Sequence, residues 1–196
     1  MTLTNESTNP AKFASLCLST SVANRVSVVV SLFFGHLAGI YNTDQFDVQQ
    51  GVELRWRELG GHGRSRSQRR AVTSHLPEFR QQASASPIRG ATAVLPALDA
   101  IAALVDEEMD ERERLKLVVA HAFGVALEFD LLGVPAPEGA ATWAGFELRG
   151  QAAIFDALSP SSPEVSEELV YELRTNSGME AMNYWRAIRE LLRSQA

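Results

Sequence analysis

The chain has 196 residues, 45% of them hydrophobic and 21% charged, enough for one sizeable core and ordinary for a globular protein. Its formal net charge of −6 argues against non-specific nucleic-acid affinity, and its single cysteine excludes an internal disulfide or a multi-cysteine metal site. Such a chain suits a reducing cytosol.

The first predicted helix covers 10–20 and carries "FASLCL", which sets Cys17 on an apolar stretch with Phe13 and Leu16. Nothing local lowers a thiol pKa there, so Cys17 reads as a buried structural residue. A second helix is expected over 22–40. Its run "VSVVVSLFFGHLAGIY" is about 16 residues long and broken by Gly35, His36 and Gly39, short of the roughly 20 that cross a bilayer. The run is β-branched enough for a strand, but no second strand is at hand to pair with it, so it reads as a core helix. No long apolar region marks a signal peptide, and the expectation is a cytoplasmic protein without a membrane segment.

Further helices are expected over 44–59 and 67–82, separated by the loop "GGHGRSRS". The basic run "GRSRSQRR" contributes Arg64, Arg66, Arg69 and Arg70 but no interleaved aromatic residue. It reads as a polar loop entering a helix, with no nucleic-acid partner.

After a loop at 84–93, Leu95, Leu98, Ile101, Ala102 and Val105 form an apolar helical stripe, with Pro96 placed in the first turn where a missing N–H costs nothing. Asp99 interrupts this run at the edge of the apolar face. A carboxylate there meets either backbone N–H groups of its own first turn or an arginine from a neighbouring helix. The acid run "DEEMDERER" follows, and Arg112 and Arg114 are spaced to pair with Glu108 and Asp110. It lacks the ligand spacing of a calcium loop and reads as a solvated helix junction.

The clearest periodicity lies over 113–133, from Leu115 to Leu132, ended by Gly133 and Pro135. It should pair antiparallel with the preceding helix or continue it as one long bent helix. Helices over 142–158, 163–175 and 179–193 complete the chain, the next to last opened by a serine cap and Pro163. The expectation is an all-α fold, one domain over 1–196, built as a bundle of about seven to nine helices.

Chemical signatures are sparse. His36, His62, His75 and His121 form no metal pattern, and no nucleophile elbow, phosphate-binding glycine loop or dinucleotide fingerprint occurs. No catalytic residue, metal or cofactor is therefore expected. His121 and Glu128 lie two turns apart on one helix, about 10 Å along its axis. Charge is distributed unevenly: residues 1–90 carry 10 Lys and Arg against 6 Asp and Glu, while residues 91–196 carry 8 against 18.

The acidic half suits electrostatic steering toward a basic protein partner. Two functional readings follow. In the first the protein is a non-enzymatic protein-binding module, an adaptor or immunity-type protein, that uses Asp106, Glu107, Glu108 and Glu111. In the second it is an enzyme or small-ligand-binding protein with a pocket around Asp99, His121 and Glu128.

The segment "VLPALDAIAAL" resembles the tyrosine-proline-alanine-isoleucine-or-leucine-aspartate-alanine segment of the YjaG-like family, a bacterial family of unknown function. "FASLCL", "VELRWREL" and "LVYELRTNSG" are similar, in the same order, to its opening helix, to a helix ending in apolar-Trp-Glu-x-Leu, and to a late Leu-Arg segment closed by glycine. The resemblance spans nearly the whole chain. Departures are a longer segment between Cys17 and Trp56 and the ending "SGMEAMNYW". What the resemblance implies is a helical cytosolic fold, with no reaction attached.

Overall fold

A computed structural model of the chain describes residues 10–38, 46–60, 66–158 and 166–193. Among these the fold is all-α, with no strand. Its seven helices are α1 (Pro10–Ala38), α2 (Phe46–Leu59), α3 (Arg66–Ala85), α4 (Ala91–Val105), α5 (Glu111–Leu131), α6 (Trp143–Ala157) and α7 (Glu167–Arg193). His62, Arg64, the Pro163 cap, Glu164 and the expected helical residues 39–40 and 44–45 lie outside the described residues.

Two pairs of expected helices are continuous, and the cause is the same in both. Ser19 and Thr20, beside the break expected at 21, fold their hydroxyls back to donate to the Leu16 carbonyl at 3.1 and 2.7 Å. Thr175 and Ser177 donate likewise to the Tyr171 and Arg174 carbonyls at 2.9 and 3.0 Å. A hydroxyl satisfied by its own helix needs no turn, so α1 runs through 19–21 and α7 through 175–178.

The 29-residue α1 is the central element, packed against α2, α4, α5, α6 and α7. Being apolar on most sides, it is buried on most sides. Merging the two segments makes it long and apolar enough to cross a bilayer, which corrects the expected shortfall. In the bundle, however, 72% of its most apolar window is covered by other helices. Cys17 is buried within it, and burial pushes the thiol up to about 12, so the group is an inert filler of the core.

Helix ends follow local chemistry. The Asp110 carboxylate accepts from the N–H groups of Arg112 and Glu113 at 2.7 and 3.3 Å and opens α5. At the other end Gly133, at φ 69°, lets the Val134 N–H reach the Phe129 carbonyl at 3.0 Å, the six-to-one bond that closes a helix. Asp130, in the last turn of α5, caps α6 across the turn by accepting from the N–H groups of Trp143 and Ala144 at 2.7 and 3.0 Å. The α5–α6 corner is thereby fixed by one carboxylate.

Candidate functional site

The α4 helix is buried along nearly its whole length between α1, α2, α3 and α5, and Asp99 is its one charged residue. Because α4 begins at Ala91, Pro96 stands inside the helix and not in the first turn as expected. The free N–H groups of that turn are therefore out of reach of Asp99. Its carboxylate instead accepts from Arg80 of α3, in an ion pair whose side chains remain 29% and 50% exposed.

The pairing of α4 with α5 sets what stands opposite Asp99. Of the two expected arrangements, the antiparallel one occurs: Pro96 packs on Gly124, where an added Cβ would stand 3.2 Å from the ring, and Arg114 donates to the Asp106 carbonyl. In that register Asp99 and His121 line one groove. Burial, and after it the charge of Arg80, lowers the His121 pKa below its ordinary value, so the imidazole is neutral at pH 7.

The groove that Asp99 and His121 line has a volume of about 750 Å³ and lies between α3, α4 and α5. Leu76, Ala102, Val105, Met109 and Leu117 supply apolar surface. Asp99, Asp106, Glu107 and Glu108 set four carboxylates around it, against the guanidiniums of Arg69 and Arg70. Arg69 is committed, since it pairs with Glu58 and lies 3.4 Å from Glu107. It is also 5% exposed, so the basic run, expected as a polar loop entering a helix, does enter α3 and is there in part a core element.

The remaining expected site residues divide. Glu128 does not line the groove: two turns beyond His121 on α5, it stands level with the start of α4. The proposed grouping of Asp99, His121 and Glu128 is therefore reduced to its first two members. Glu111 does not line the groove with Asp106, Glu107 and Glu108 and forms an ion pair with Arg114 at 2.5 Å. Arg114 is 2% exposed and does not pair with Asp110 as spacing implied. It donates instead to the carbonyls of Asp106 and Met109, holding the end of α4 against the start of α5.

The groove's hydroxyls are spent locally. Thr73 and Ser74 donate to the Arg69 and Ala71 carbonyls of their own helix at 2.9 and 2.8 Å, so no base activates either as a nucleophile. No group of three or more His, Cys, Asp or Glu side chains that could hold a metal ion occurs among the described residues. What the groove offers is a shaped apolar surface with carboxylates at its edge, which is chemistry for binding.

Sequence reasoning missed a second polar cluster. Arg25 of α1 donates to Glu147 of α6 at 2.6 Å and to Glu180 of α7 at 2.7 Å. Tyr184 and Gln151 also donate to Glu147, at 2.5 and 2.8 Å. Burial pushes the Glu147 carboxyl up, opposed by the Arg25 charge and by these two hydrogen bonds. Burial, and then the Glu147 carboxylate, holds the Tyr184 hydroxyl well above its ordinary range, which keeps it a donor. A signal was present, since Arg25 and Glu147 each stand among apolar neighbours in "VANRVSV" and "WAGFELRG". A charge that must be buried requires a partner.

No family model matches the chain, and no curated protein or solved structure matches it.

Proposed function

We propose that the protein is a non-enzymatic binding module whose groove between α3, α4 and α5 docks a basic, amphipathic segment of a partner protein, in the manner of an adaptor or an immunity protein. The observation that carries this reading is the pairing of an apolar floor with Asp106, Glu107 and Glu108 on one rim. Apolar burial supplies affinity at such a surface, and the carboxylates supply on-rate and choice of partner. A cytosolic setting, with α1 as a core helix, is part of this reading.

Glu107→Arg combined with Glu108→Arg tests the reading in a pull-down from native extract, with circular dichroism as the check on folding. Loss of the bound partner with the fold intact is expected, as is an on-rate that falls with salt on the scale of a Debye length of about 8 Å. Retention of the same partner at the same salt contradicts it.

A second reading, a small-ligand site in the same groove, is favoured by the neutral His121 standing across from the Arg80–Asp99 pair. It differs in its mutational pattern. His121→Gln and Asp99→Asn would then abolish binding, and the rim reversals would not.

A further inference from the structure

A second cavity, of about 630 Å³, lies among α1, α2, α3 and the α4–α5 junction, and shares Arg69, Glu107 and Met109 with the groove. Three guanidiniums from three helices reach it, those of Arg55, Arg69 and Arg114, which are 4%, 5% and 2% exposed. Buried cations of this kind demand anionic partners. Glu58, Glu107 and Glu111 supply them in part. Arg55 bonds Glu58 at 2.9 Å and the Leu104 carbonyl at 2.8 Å, and Arg114 is paired with Glu111.

The accounting is incomplete at two atoms. The Nε–H groups of Arg69 and Arg114 are buried and make no hydrogen bond. A buried guanidinium N–H without an acceptor is costly, and two in one cavity are not explained by packing. Around the mouth stand Lys12 of α1 and Arg112 of α5, both exposed, with Asp110, whose carboxylate is already committed to capping α5. The lining therefore carries five basic side chains against three acidic ones. Burial first, with the Arg114 charge adding to it, also lowers the Arg69 pKa, against the pull of Glu107 and Glu111.

We propose that this cavity is an oxyanion site, which takes the phosphate or carboxylate group of a small molecule at the Nε–H groups of Arg69 and Arg114, with Lys12 and Arg112 drawing it in. A planar guanidinium matches either group, and a second negative charge adds to the attraction. The site adjoins the docking groove through Arg69, Glu107 and Met109, but Lys12 and Arg112 line this cavity alone, so their removal tests the two sites separately.

The test follows the arginine Nε–Hε resonances of the full chain by NMR during titration with inorganic phosphate, with malonate, and with sodium chloride at matched ionic strength. Saturable shifts at Arg69 and Arg114 with phosphate support a phosphoryl ligand, and saturation with malonate alone supports a carboxylate ligand. Shifts that are linear, or equal to those in chloride, overturn the proposal. The double variant Lys12→Gln, Arg112→Gln leaves the buried cluster in place. It also removes a cation from the positive end of α5, so its anion-free melting temperature should not fall. Its affinity for the bound anion should drop at least about tenfold, in line with loss of charge-assisted contacts. An unchanged affinity overturns the assignment.

Discussion

Arg25 and Glu147 stand 122 positions apart in the chain and meet at 2.6 Å with both side chains wholly buried, tying the central helix to α6. Removing one partner leaves the other charge desolvated and unpaired. Glu147→Leu or Arg25→Met should each destabilise the protein by about 3–5 kcal/mol in urea unfolding. The double variant should cost clearly less than the two single costs together, since no orphan charge remains. Additive costs would show that the two residues act independently.

Gly150 is required by the same cluster. A Cβ at this position would overlap the Arg25 guanidinium, which its two carboxylates hold in place. Gly150→Ala should therefore lose about 1–3 kcal/mol. Gly178, exposed on α7 with nothing near its Cβ position, is the matched control. Gly178→Ala should gain roughly 0.5–1 kcal/mol from helix propensity. Opposite shifts in melting temperature check both.

His121 should titrate below its ordinary value, and the protein should respond to acid accordingly. The folded pKa is lowered by burial and by Arg80, so the unfolded chain binds the proton more readily. The contribution to stability is present above the unfolded pKa, near 6.5, and is lost as pH falls through the folded one. Arg80→Gln should raise the midpoint seen in the His121 ring resonance by NMR. A midpoint that does not move would remove Arg80 as a cause.

Asp99→Ala should cost less than about 1 kcal/mol by thermal melting. The carboxylate's partner is an exposed arginine and not a set of buried backbone donors, and a half-exposed ion pair is screened by solvent. A loss of 3 kcal/mol would show that Asp99 holds α4 to α3.

Local features of the fold were legible because local chemistry decides them. The Leu115–Leu132 stripe and Gly133 marked α5 and its end correctly, and the β-branched run in α1 is helical because no strand exists among the described residues to pair with it. The breaks expected at 21 and over 176–178 do not occur, since the hydroxyls of Ser19, Thr20, Thr175 and Ser177 bond their own helix and require no turn. The Asp99–His121 relationship depends on the antiparallel register that Pro96 and Gly124 set, and a single helix shows no register. The partner of Asp99 could be narrowed to backbone N–H groups or an arginine, and only the fold decides for Arg80. Arg25, Glu147 and Glu180 lie on three helices that only the tertiary fold brings together.

Site-specific photo-crosslinking tests the docking reading most directly. A photoreactive residue at Thr73, exposed in the groove, is compared with one at Phe155, exposed on α6 outside it, both in native extract. The account predicts a crosslinked partner from Thr73 and not from Phe155, with a basic, amphipathic segment at the crosslink, and loss of that product in the Glu107→Arg, Glu108→Arg background. A partner captured from Phe155 alone, or one captured from Thr73 equally well after charge reversal, would contradict it.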